Sequence, residues 1–305
     1  MLIEAGRISQ IYRAVEAFFF SRGDARVGCI IRIGFAFILL PYIAAIGLNL
    51  HDFYGVNGVL SYSASRDIMD PDSFSVLGVL APNSMALSLC YWVFVVNVLL
   101  LLLGVFSRTQ AALVFFWLVA FQHRNILLND GEDTLARWIA FSLVLMPCGA
   151  FFSVDAWRRK LSGVLPKDSS LLGLRILQIE MTLIYVSAAL LKLDGPEWLD
   201  GTAVIYAVQL TDVFGRFPLP EFFITSPKLL MLVTWSVLVV ECLIPLALWF
   251  RATRMWVLPV AALLHLSLDY AMNLFLFQWF MLLGLVSFVD LNWLVCKKNV
   301  SGASA

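Results

Sequence analysis

The stretch ValGlyCysIleIleArgIleGlyPheAlaPheIleLeuLeuProTyrIleAlaAlaIleGlyLeuAsn, residues 27–49, decides the fold class. Arg32 is its only charged residue. A helix of about 20 such residues crosses a hydrocarbon core of about 30 Å. Buried strands of soluble proteins are shorter, and soluble helices carry a polar face that this run lacks. Comparable runs follow at 84–106, 109–123, 133–150, 171–193, 227–250, 255–272 and 274–295. Hydrophobic residues make up 61% of the 305 and charged ones 14%, against about 45–50 and 25% in soluble domains. That balance excludes a soluble enzyme. The expectation is an all-α polytopic transmembrane helix bundle of about eight spans, without a soluble domain able to act alone.

Around this run the charges sort by side. With the N-terminus in the cytoplasm, the inner segments collect 13 basic residues, from Arg7, Arg13, Arg22 and Arg26 through Arg108, Arg158, Arg159, Lys160, Lys167, Arg251 and Arg254 to Lys297 and Lys298. The outer segments hold five: Arg66, Arg124, Lys192, Arg216 and Lys228. This alternation satisfies the positive-inside rule, so both termini are expected in the cytoplasm, with a bacterial inner membrane as the location. Acids go the other way, 13 of the 21 falling in outer loops. The two longest loops, 50–83 and 194–226, are both outer. Each holds an apolar stretch, 74–80 and 202–208, expected to form a re-entrant or capping helix that packs over the bundle. Residues 8–20 place Ile8, Ile11, Tyr12, Val15, Phe18 and Phe19 at helical spacing away from Arg13 and Glu16, the pattern of an interfacial helix. The chain therefore divides into a cytoplasmic or interfacial segment (1–26), a membrane domain (27–295) and a short cytoplasmic tail (296–305). A removed signal peptide is not expected.

Five cysteines lie singly, without CxxC spacing, and three histidines show no HxH or HExxH spacing. Neither a disulfide framework nor a metal site is expected. The polar residues inside the runs carry more information, because an ionisable group at membrane depth normally has a partner or a task. Arg32 is expected to snorkel to the inner interface, and Arg137 to pair with Asp133 one turn away. Glu180 and Glu241 sit mid-span without a local lysine or arginine, so a hydrogen-bonded structural role and a proton-handling role both stay open. His265, Asp269 and Asn273 lie four apart on one stripe, which allows a His–Asp relay toward the outer face. Lys192 ends a span. It can stabilise the last carbonyls of its helix or act as a base in a desolvated pocket.

LeuLysLeuAspGlyProGluTrpLeuAspGlyThrAla (191–203), with GlnIleGluMetThrLeuIleTyr (178–185) before it, resembles the motif of the horizontally transferred transmembrane (HTTM) domain family. That family includes the membrane domain of vitamin K-dependent γ-glutamyl carboxylases. Residues 124–137, 152–155 and 265–280 agree in order and spacing. The resemblance implies that Lys192 matches the lysine that deprotonates a reduced quinone, vitamin K hydroquinone, and that His265 matches a family histidine. It further implies an enzyme acting at the outer face on a quinone or lipid-soluble substrate. With the ionisable residues at depth, the expectation is Lys192 as base, His265 and Asp269 as a proton relay, and Glu180 or Glu241 as a buried proton-holding group. The chain departs from the carboxylases at AsnAspGlyGlu (129–132), where they carry an asparagine–histidine pair, and it spans their membrane part alone. Carboxylation of protein glutamates therefore stays open. Expected partners are membrane lipid, a quinone and a peptide or protein substrate, with no nucleic acid. The alternative is a non-catalytic membrane partner in the maturation or export of a secreted peptide or protein.

Overall fold

The computed structural model describes residues 2–68, 75–162, 169–210 and 213–291. Among these, sixteen α-helices carry almost all of the regular structure: α1 (Leu2–Phe20), α2 (Ala25–Leu48), α3 (Leu50–Tyr54), α4 (Tyr62–Ile68), α5 (Val76–Leu80), α6 (Ser84–Leu103), α7 (Ser107–Arg124) and α8 (Gly131–Leu145). They continue as α9 (Val154–Leu161), α10 (Leu172–Asp194), α11 (Pro196–Leu199), α12 (Ala203–Ala207), α13 (Glu221–Ile224), α14 (Pro227–Ala247), α15 (Arg251–Ala271) and α16 (Phe277–Leu285). The strands are two residues each, β1 (Arg22–Gly23) pairing antiparallel with β2 (Ser169–Ser170). The all-α class holds. Helices stand at all eight predicted positions, and four of them, α2, α6, α10 and α14, are long and apolar enough to cross a membrane. The other four are shorter or less apolar; α8, for example, stops because Pro147 follows and forces Met146 into extended backbone. Outward apolar side chains such as Leu89, Trp92, Leu183 and Leu243 stay exposed, the surface a protein presents to lipid rather than water.

The chain forms two compact units, Met1–Leu177 with Leu291–Ala305, and Gln178–Asp290. In the first, α2, α6, α7 and α8 pack around Phe35, Leu39, Phe94, Val114, Phe121 and Ile139, all nearly inaccessible. Local chemistry fixes the helix ends. Asp24 caps α2 through Arg26 N–H, Asn83 caps α6 through Ala86 N–H, and Asp130 with Asp133 closes a capping box on α8. Arg32 does not snorkel. It is fully buried and donates at 3.3 Å to the carbonyl of Leu101, in the last turn of α6, and at 2.5 Å to that of Phe152, just before α9. Gly104, at φ +70°, lets the guanidinium approach where any Cβ would collide with it.

The predicted Arg137–Asp133 pair is also absent. Asp133 accepts instead from Tyr42 at 2.5 Å, Gln122 at 3.1 Å and the Asp130 N–H at 2.7 Å, while Arg137 donates to Thr134. Those tertiary donors fill the carboxylate before its helical neighbour can reach it. Arg124, 1% exposed, donates to the carbonyls of Tyr54, Gly55 and Leu60 and lies 4.0 Å from the Tyr62 ring. Arg124 thus pins the segment between α3 and α4. Residues 76–80 form the expected short helix, capped by Ser75 and packed on α6 and α7. Helix α1 starts earlier than predicted, and its Ile11, Tyr12 and Val15 stay exposed. The tail 296–305, Asp70, Asp72, Lys167 and Asp212 lie outside the described residues.

Candidate functional site

The second unit builds its site around the end of α10. Tyr185 and Lys192 are seven residues apart on that helix, about two turns, and so share a face. The motif after Lys192 explains its setting. Gly195 N–H returns to the Lys192 carbonyl at 3.2 Å, and Pro196 opens α11 at the position where its missing N–H costs nothing. That turn brings the Trp198 ring to 5.0 Å from Lys192 Nζ, within cation–π range. Asp200 then accepts from Thr202 N–H and Oγ1 at 2.9 and 2.6 Å. Between them Gly201 takes φ +86°, against Trp235, whose ring would lie 2.9 Å from an added Cβ. Trp235 Nε1 donates to the Leu199 carbonyl at 3.2 Å. The predicted helix within 202–208 forms as α12 and packs on α14, with Val204 N–H bonded to Thr234 Oγ1.

Lys192 Nζ lies 2.6 Å from Glu241 Oε2, in an ion pair whose side chains are 20% and 10% exposed. Glu241 therefore has the basic partner that its neighbours in sequence do not supply. Pro245 stands four residues beyond it in α14 and has no N–H to donate, so the Glu241 carbonyl lacks its helical bond. The pair sits in the wall of a cavity of about 620 Å³, within the range of small-molecule sites. Its lining is mostly apolar, with Val204, Phe214, Leu219, Phe223, Val237, Leu268 and Phe277; Lys192, Glu241, Ser267, Tyr270 and Gln278 supply the polar side chains. At one side, residues 213–218 are stitched to the end of α15. Gly215 N–H bonds Ala271 O at 2.9 Å, Arg216 pairs with Asp269 at 2.7 Å, and Phe217 stacks on Tyr270.

The five predicted site residues thus separate. Lys192 and Glu241 come together at the cavity. Glu180 is buried on α10 but does not line it. His265 is 3% exposed, and both of its ring nitrogens are engaged: Nε2 with Tyr185 Oη at 2.6 Å and Nδ1 with Gln278 Oε1 at 2.5 Å. No nitrogen is left for Asp269, which faces Arg216, so the expected His265–Asp269 relay does not form. The stripe also ends early, because α15 stops at Ala271 and Asn273 belongs to the turn, its N–H bonded to Val213 O. Tyr185 and Gln278 were not among the candidates. A lone glutamine inside PheLeuPheGlnTrpPhe (275–280) was the available signal for the second.

Comparison with known proteins gives two positive findings. Residues 24–293 match the family model described as HTTM domain. A protein of Bacillus subtilis (strain 168), "Uncharacterized protein YitO", is 27% identical over 219 residues, covering 68% of this chain and 67% of that protein. No solved structure matches.

Proposed function

This chain belongs to the HTTM domain family, and from that premise we propose that it is a membrane enzyme taking a proton from a hydroxyl group of a lipid-soluble substrate, with Lys192 and Glu241 as the accepting pair. One observation carries this: the 2.6 Å ion pair stands in the wall of a large apolar cavity. A purely structural pair at membrane depth is better packed than placed beside open volume. The residues fit a reduced quinone, since apolar walls suit its rings and the pair suits its acidic hydroxyl. Such a group would supply a removable proton and an oxidisable ring.

The proton balance is simple. Lys192 passes its ammonium proton to Glu241 Oε2 and takes the hydroxyl proton in its place. The pair ends as ammonium beside neutral carboxyl, and the ammonium offsets the negative charge left in the cavity. The Trp198 ring, 5.0 Å from Nζ, covers the amine on one side. The charge alternation of the loops supports an inner-membrane orientation with both termini cytoplasmic and the cavity toward the outer face. The exposed apolar face of α1 then lies on the cytoplasmic membrane surface.

The test is oxygen uptake by the purified chain in lipid nanodiscs, with vitamin K hydroquinone as the probe. Lys192→Ala and Glu241→Gln should each lower the protein-dependent rate by about 10²-fold or more. Uptake by the unaltered chain no faster than in empty nanodiscs, or a Lys192→Ala variant at full rate, would overturn the proposal.

A further inference from the structure

Tyr185, His265 and Gln278 form a hydrogen-bonded chain of three side chains, each 3% exposed or less, across α10, α15 and α16. The chain is not closed on itself, because Gln278 also lines the cavity. The Tyr185 hydroxyl finds its acceptor in His265 Nε2, which leaves the ring proton on Nδ1, facing Gln278 Oε1. Turning the amide over would set its N–H₂ against that N–H. The carbonyl end of Gln278 is thereby held on His265, and only its donor end is left for the cavity.

We infer that Gln278 is the recognition residue of this cavity, donating to a carbonyl or similar acceptor oxygen on an apolar ring ligand. His265 is its positioning residue, and the Tyr185 hydroxyl sets the tautomer that His265 needs. The inference rests on reading the cavity as a lipophilic substrate site, and adds to it a second polar contact opposite in kind to the Lys192–Glu241 pair. The ligand class that follows is a compact apolar ring system with at least one acceptor oxygen. A hydrocarbon of the same shape lacks the feature being recognised, and a group that only donates meets another donor.

Two probes separate these elements: 2-methyl-1,4-naphthoquinone, and 2-methylnaphthalene, which keeps the rings and methyl but has no oxygen. Each is measured by equilibrium dialysis against the full chain in nanodiscs, with empty nanodiscs as the blank. The unaltered protein should prefer the quinone by at least about tenfold, the worth of one buried hydrogen bond. Gln278→Leu and Gln278→Met should erase that preference while holding the hydrocarbon within about threefold. His265→Leu should do the same, and His265→Asn, whose amide N–H stands near the Nδ1 position, should restore it. A quinone preference that survives both Gln278 variants overturns the recognition role and leaves the proton-transfer proposal standing. If both variants lose the hydrocarbon as well, Gln278 only packs, and the inference falls. His265→Leu and His265→Asn behaving alike removes the positioning role. If neither probe binds the unaltered protein, both proposals fall together.

Discussion

Removing one member of the Lys192–Glu241 pair should destabilise the protein more than removing both. At 2.6 Å and an effective dielectric of about 20, the Coulomb attraction is about 6 kcal/mol. Desolvation of the two groups offsets much of it, so the pair contributes little net stability. A single deletion is different, because it leaves one charge in an apolar wall. Orphaning a buried charge costs about 3–5 kcal/mol, and the 20% exposure of Lys192 reduces this to about 2 kcal/mol for Lys192→Met or Glu241→Gln. The Lys192→Met/Glu241→Gln double variant should cost only about 1 kcal/mol, a coupling of about 3 kcal/mol. Unfolding by SDS in mixed micelles, followed by circular dichroism, gives all four corners of the cycle. Single changes that simply add in the double variant, or that each cost under about 0.5 kcal/mol, would show that the two side chains do not act as a pair.

Two further outcomes concern positions outside the pair. Gly201→Ala should cost about 1–2 kcal/mol from its positive φ alone, with more from the Trp235 ring 2.9 Å from the new Cβ. Trp235→Ala in the same chain should recover only the second part, read as a partial return of the SDS midpoint. Asp155→Ala should cost about 1–3 kcal/mol, because its carboxylate accepts from Phe106 N–H, Ser107 N–H and Ser107 Oγ at the start of α7. Burial raises the Asp155 pKa, but those hydrogen bonds and nearby Arg159 outweigh it and hold the group below its usual value. A lowered folded-state pKa gives stability that is present above the unfolded value near 3.8 and lost as pH falls through the folded one. The gap between the unaltered chain and Asp155→Ala should therefore be full at pH 6 and narrow below about pH 4; thermal scans showing the same gap throughout would contradict this.

Helix positions were legible in the sequence because lipid-facing spans are apolar on all sides, and the short helices at 76–80 and 203–207 showed as apolar stretches inside polar loops. The ionisable residues at depth were legible too, since each stands out in its run. Their partners were not. Lys192 meets Glu241 across 49 residues of chain, and nothing local marks that meeting. Where helical spacing did suggest partners, tertiary donors displaced them. Asp133 was taken by Tyr42 and Gln122 before Arg137, and His265 by Tyr185 and Gln278 before Asp269. Arg32 misled for a related reason, because the backbone carbonyls of Leu101 and Phe152 stood in for the water it was expected to reach.

Seven residues of one helix hold Tyr185 and Lys192 in step, and that step is a constraint on chain length. Each residue turns a helix by about 100° and advances it about 1.5 Å, so one residue gained or lost between them would swing Lys192 off Glu241 or Tyr185 off His265. Loops elsewhere can lengthen over generations without disturbing either cluster. This piece of α10 can change its letters but not their number, and related chains can be aligned on its spacing where their residues have drifted.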